Sequence, residues 1–191
     1  MRIIAGAFKG RRLAPVKGRI RPTGAKVREA VFSILGPAVV GLRVLDLFAG
    51  TGALGIEALS RGAATAVFVE DHPESLKVLR RNLADLGLAD RTTVWPLPVA
   101  TALKQLAGRG EIFSLAFLDP PYGGGMSVGV LGALEALGLL APGARVVVEH
   151  SRRESLPEEA CGGLSRLTLR RYGDTQVAIY LMAESASQEH D

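Results

Sequence analysis

The chain has 191 residues but only one cysteine, Cys161, one asparagine, Asn82, and three histidines, His72, His150 and His190. A lone cysteine excludes an internal disulfide and a thiolate metal site, and it agrees with a reducing compartment. The histidines share no ligand spacing, so no metal is expected. No apolar run approaches the roughly 18 residues that a membrane helix requires. The opening MRIIAGAFKGRRL is too basic and too weakly apolar for a secretory signal. From these absences a cytoplasmic protein with no membrane contact is expected, and a monomer is the expected state.

The most informative absence is that of acid. Residues 1–28 hold nine basic side chains and no Asp or Glu. The remaining 163 residues carry 14 basic and 19 acidic groups, so a chain of net charge +4 is a basic arm on a mildly acidic body. That asymmetry points to a polyanionic partner. Gly and Pro interrupt the arm and it has no amphipathic stripe, which argues against a membrane-surface segment.

What is present fits one globular domain, with 48% hydrophobic and 22% charged residues. Residues 1–22 mix short apolar pieces with Gly and Pro, as in a small hairpin or extended arm. RPTGAKVREAVFSILGP then reads as a helix with Thr23 as N-cap and Gly36-Pro37 as its stop. From residue 43 strands alternate with helices. Strands are predicted at 43–48, 65–70, 92–95, 112–118 and 144–150, and helices at 52–61, from 73, at 100–107 and at 126–137. Buried apolar strands separated by helices indicate a parallel sheet covered on both faces. GLSRLTLRRYG and DTQVAIYLM, joined at Gly173-Asp174, read instead as a hairpin. The ending ESASQEHD reads as a frayed tail.

Two motifs carry the chemistry. In DLFAGTG and its continuation, Gly50, Gly52 and Gly55 follow a strand and open a helix, and Glu70 closes the next strand, 20 residues after Gly50. That pattern serves a nicotinamide dinucleotide or S-adenosylmethionine (AdoMet), since both contain adenosine and both need backbone brought close at a glycine turn. Asp46 favours AdoMet. An anion at the strand end would repel a pyrophosphate, whereas it can bind the AdoMet ammonium.

The second motif, DPPY, follows the apolar strand FSLAFL and so falls on the same sheet edge, where ligands of open α/β sheets bind. An exocyclic base amine is a weak nucleophile because its lone pair is delocalised into the ring. The carboxylate of Asp119 and the carbonyl of Pro120 could accept its two hydrogens and favour a pyramidal nitrogen. Tyr122 offers a face on which a flipped base could stack. Gly123-Gly124-Gly125 suggests a mobile segment beside the pocket.

Taken together, RIIAGAFKGRRL, RPTGAKVREAVFSIL, VLDLFAGTGALGIEALSRGA, LDPPY and RYGDTQVAIY resemble the bacterial 16S rRNA guanine-N(2) methyltransferase family, the RsmD family. The resemblance covers nearly all of residues 1–182. It implies an α/β, Rossmann-like class I methyltransferase with a seven-stranded, mostly parallel sheet, a C-terminal antiparallel hairpin and a short N-terminal basic extension. It implies AdoMet as methyl donor and a guanine of 16S rRNA as acceptor, within a small-subunit assembly particle. Asp46, Phe48, Gly50, Gly52, Glu70 and Ala100 fall at the cofactor, and Asp119, Pro120 and Tyr122 at the target base. Lys9, Arg11, Arg12, Arg19, Arg21, Lys26 and Arg28 fall on RNA. The expected divisions are a basic extension with its leading helix over 1–36, the methyltransferase domain over 37–183 and the tail over 184–191.

Two places depart from the family's pattern. WPLPVATAL leaves Val99 and Ala100 to offer adenine only backbone and apolar contacts, and Lys26 stands where Arg is usual, which keeps the charge but not the bidentate fork. Other classes stay open at this level. An adenine-N(6) methyltransferase uses the same motif, but a DNA enzyme of that kind needs a recognition region for which this chain has no room. A protein glutamine methyltransferase usually has Asn at the place of Asp119. A nicotinamide oxidoreductase or a non-catalytic RNA-binding module would keep the glycine turn or the basic arm alone.

Overall fold

The apolar strands assemble by burying both faces at once. The computed structural model describes residues 1–16, 24–121, 125–160 and 163–184. Strands β1 (Arg43–Leu47), β2 (Thr65–Val69), β3 (Thr92–Trp95), β4 (Phe113–Leu118) and β5 (Leu140–Ser151) pair in parallel, in the order β3-β2-β1-β4-β5. Successive side chains of a strand point to opposite faces. Thus Val44, Leu115 and Phe117 enter one core with α1 (Ala25–Leu35), α2 (Ala53–Ser60) and α3 (Pro73–Asp85). Leu45, Leu47, Ala116 and Leu118 enter the other with α4 (Val99–Gly108) and α5 (Met126–Ala136). With two covered faces the strands need apolar residues throughout, which is why they read as near-continuous runs.

Beyond β5 the sheet turns antiparallel. β8 (Thr175–Met182) pairs with β5, β7 (Leu164–Tyr172) with β8, and β6 (Glu159–Ala160) with β7. The expected mostly parallel sheet and terminal hairpin are therefore present, with eight strands in place of seven. The addition, β6, is two residues long in SLPEEA, too short for any alternation to register. β5 also starts four residues earlier than expected, where Pro142-Gly143 and a register shift against β4 interrupt the pattern. Gly24 occupies the N-cap of α1; the expected cap, Thr23, lies outside the described residues, as does the tail from 185.

The basic opening segment shares the first core. Ile3 and Leu13 are buried within it. The buried carboxylate of Glu57 on α2 accepts the N–H groups of Ile4 and Ala5 at 2.9 and 3.0 Å and pairs with Arg61 at 2.8 Å. A Cβ on Gly6, at φ +84°, would stand 1.8 Å from the carbonyl oxygen of Ser60, so only glycine lets the segment lie this close to α2. The single asparagine ties the other end: Asn82 Oδ1 accepts from Ala14 N–H at 2.8 Å, and Nδ2 donates to the carbonyl of Thr51 at 3.0 Å. Among the described residues no helix is long and apolar enough to cross a membrane.

Candidate active site

Strand order reverses between β1 and β4, and in doubly wound sheets a crevice opens at such a switch point beyond the carboxyl ends of the strands. Here it has a volume of about 570 Å³. Asp46, Phe48 and Gly50 from the β1 turn, Glu70 from the end of β2, and Asp119 and Pro120 from the end of β4 all line it. The two sequence motifs thus share one cavity.

The turn after β1 is strained. Phe48 has φ +61°, the one non-glycine residue with positive φ among those described, and Gly50 and Gly52 follow at +56° and +81°. A bulky residue in the left-handed region costs of order 1 kcal/mol or more and persists only where its surroundings impose it. Gly55 lets α2 approach the sheet: an added Cβ would lie 2.4 Å from the Phe68 ring and 3.0 Å from Asp46 Oδ2. That approach delivers the Gly55 N–H to Asp46 Oδ2 at 2.9 Å. Glu70 Oε2 accepts the Gly50 N–H at 2.7 Å, and Oε1 accepts that of His72 at 2.9 Å. The second acid therefore holds the glycine turn against β2.

Asp46 is 3% exposed, and burial holds its carboxyl well above the ordinary value of 3.8. The Gly55 N–H opposes that rise, while Asp119 and Glu70 add to it by repulsion. With Asp71, four carboxylates line the cavity, which favours a cation and disfavours a pyrophosphate. AdoMet, with its ammonium and sulfonium, fits this charge: Asp46 suits the ammonium, and Glu70 retains lone pairs for ribose hydroxyls. Leu97, from the β3–α4 connection, and Val99, the first residue of α4, give the cavity an apolar wall.

Not every expected residue is at the cavity. Ala100 is exposed on α4 and does not line it; Leu97 and Val99 do. One residue along a helix turns about 100°, which carries Ala100 away once α4 begins at Val99. Gly52 is also not among the lining residues; a Cβ there would meet Leu79 Cδ1 at 2.5 Å, so the turn needs glycine at this place. Tyr122 and the neighbouring Gly123 and Gly124, together with Arg19 and Arg21, lie outside the described residues.

Arg28 requires the plainest correction. It was expected on RNA, but it is 1% exposed, donates to the carbonyl of Arg2 at 2.7 Å and faces Glu57 at 3.7 Å. Burial lowers its pKa, and Glu57 opposes that shift. It braces the opening segment and offers nothing to a phosphate. Its position had a signal: with Val31, Phe32 and Leu35 it lies on the buried stripe of α1. Asn82 has the same signal, sitting between Leu79 and Leu83 on α3. Lys9, Arg11, Arg12 and Lys26 are exposed. The sequence reading also missed Met1, Pro15 and Val16, which bring the opening segment to the cavity wall, and Asp71.

Comparison with known proteins decides the family. Residues 1–181 match the family model described as Conserved hypothetical protein 95. Ribosomal RNA small subunit methyltransferase D of Escherichia coli (strain K12) is 39% identical over 82% of this chain and 78% of its own. The chain belongs to the RsmD family. YlbH of Bacillus subtilis (strain 168), whose name proposes an rRNA methyltransferase, is 40% identical over 94% of this chain and 98% of its own. The solved structure of YhhF from Escherichia coli, whose title proposes a methyltransferase, superposes with a TM-score of 0.84 at 36% identity, covering 96% and 98% of the two chains. The RsmD-like chain accordingly has the class I methyltransferase fold, with the shared cavity at its switch point.

Proposed function

We propose that this protein transfers a methyl group from AdoMet to the exocyclic 2-amino group of a guanine in small-subunit rRNA. The observation that carries the reading is the meeting of Asp46, Glu70 and Asp119 around one cavity at the switch point. AdoMet supplies an electrophilic methyl group on a positively charged sulfur. Asp46 and Glu70 would hold its ammonium and ribose, and the apolar wall of Leu97 and Val99 its adenine.

The chain's own work is on the amine. Asp119 and the Pro120 carbonyl would accept its two hydrogens, drawing the lone pair out of conjugation and aiming it into the cavity. As the nitrogen gains a carbon it must lose a proton, and Asp119 is the acceptor beside it. The base must leave its stack to bring its amine to Asp119 at the strand end. Guanine and the small-subunit RNA are supported by the family motifs and by the small-subunit rRNA named for the Escherichia coli relative. Nucleoside mass spectrometry of small-subunit RNA, from cells with and without this protein, tests the reading. Loss of N(2)-methylguanosine is expected, and an unchanged profile would remove guanine as the substrate.

A further inference from the structure

The acidic cavity creates a problem for an RNA substrate. Asp46, Glu70, Asp71 and Asp119 line it, so phosphates flanking an inserted base meet repulsion at its mouth. Compensating cations must stand on the catalytic edge, and two of the opening segment's described ones, Lys9 and Arg11, do not. α2 runs back from the glycine turn for eight residues, about 12 Å, to Ser60. Ala7 and Phe8 bond to Ser60, and Arg11 reaches the carbonyl of Asp85 at the far end of α3. Lys9 and Arg11 therefore lie toward the opposite edge of the sheet.

The other flank of the cavity differs. β5 continues past Val148, the partner of the last β4 residue, to Ser151, which pairs with Thr175 at the start of β8, and Thr175 with Tyr172 at the end of β7. The turn at Gly173-Asp174 and the segment after β5 thus project from the edge that carries Asp119. Four exposed arginines stand at this end of the sheet: Arg152, Arg153, Arg170 and Arg171. Arg170 opposes Val177 and Arg171 opposes Gln176, so they flank the strand end on both faces. Arg152 is paired with Asp174 at 3.3 Å, and nearby Arg166 with Glu158 at 3.0 Å. Arg153, Arg170 and Arg171 have no carboxylate partner among the described residues. A depression of about 410 Å³, lined by His150, Arg152, Arg153, Glu154 and Gln176 among others, opens at this corner.

We propose that Arg153, Arg170 and Arg171 form a phosphate-binding surface that holds the RNA strand beside the catalytic cavity. The proposal rests on RNA being the substrate. All three are arginines, whose planar fork matches a phosphate, and none is committed to an internal ion pair. They supply, at the edge where the base enters, the positive charge that the cavity lacks.

The test compares wild type with R153E/R170E/R171E and with a control reversal, K77E/K104E, on exposed helix faces. Probes are unmodified 16S rRNA and small-subunit particles from cells lacking the protein. The triple variant is expected to bind both probes roughly tenfold more weakly than the control, and the slope of log affinity against log salt to fall by about 2. KM for the particle should rise while kcat and AdoMet affinity stay within twofold, and R153K/R170K/R171K should restore most binding. Equal binding by triple variant and control would overturn the proposal. So would a loss confined to particles, because it would assign the surface to a ribosomal protein. If wild type bound RNA without methylating guanine, the substrate reading would fall, and the binding comparison would still decide the arginines.

Discussion

Asp46 and Glu57 are carboxylates of similar burial, 3% and 1% exposed, on consecutive elements, and their charges are settled in opposite ways. Glu57 is satisfied by its own chain: two backbone N–H groups, Arg61 and Arg28 surround it. Asp46 receives one backbone N–H and faces two further carboxylates. A buried charge that folding neutralises holds structure together. One that folding leaves short of positive charge suits a cationic ligand, the role proposed for Asp46. The difference separates the region that anchors the opening segment from the region that does chemistry.

The largest effect is expected at the satisfied carboxylate. Glu57→Ala would leave Arg28 buried without its counter-charge and the Ile4 and Ala5 N–H groups without acceptors. A loss of about 3–5 kcal/mol should follow, seen as a shifted denaturant midpoint. Loss below about 1 kcal/mol would mean that the opening segment docks through Ile3 and Leu13 alone.

Asp119→Ala should act on the other region only. Methyl transfer is expected to fall about 100- to 1000-fold, as when one preorganised transition-state contact is removed, while AdoMet affinity changes far less and stability stays near wild type. Activity within tenfold of wild type would move the proton acceptor elsewhere.

How far these regions could be read from sequence follows the same division. DLFAGTG, Glu70 and DPPY were legible because each is local, and because alternating strands and helices place successive strand ends on one edge. Arg28 was misread because an acid-free run looks like surface, while the partner that buries it, Glu57, lies in another element. Ala100 was misplaced by the rotational phase of α4, which depends on where the helix starts. The opening segment's part in the cavity wall depends on Glu57, Gly6 and Asn82 acting across long sequence separations, which no window along the chain contains.

Asp46→Asn tests the unsatisfied member. Its folded pKa is raised, so the contribution of Asp46 to the stability of the ligand-free fold is fully present below the ordinary carboxylate range and is lost as pH rises through the folded pKa. A cation favours the ionised form, so AdoMet should bind more tightly as pH rises through the same window, with proton release. Asn keeps an acceptor for Gly55 but cannot ionise. Its AdoMet affinity at neutral pH should be about tenfold lower or worse, its pH dependence weaker than that of wild type, and its ligand-free stability no lower than wild type. Calorimetric titration at several pH values and thermal melts check both parts. An unchanged pH profile would show that another group carries it.

The smallest effect sharpens the comparison by removing burial. Asp85 pairs with Arg81 one helical turn away at 3.6 Å, but the two side chains are 61% and 72% exposed. Water already solvates both charges, so pairing them gains little and costs side-chain freedom. Alanine is also at least as good a helix former as arginine. Arg81→Ala should therefore stay within about 0.5 kcal/mol of wild type, with AdoMet binding unaffected. A cost above about 1 kcal/mol would mean that a carboxylate's partner matters in this fold even in water. Burial would then no longer explain why Glu57 anchors and Asp46 waits for a ligand.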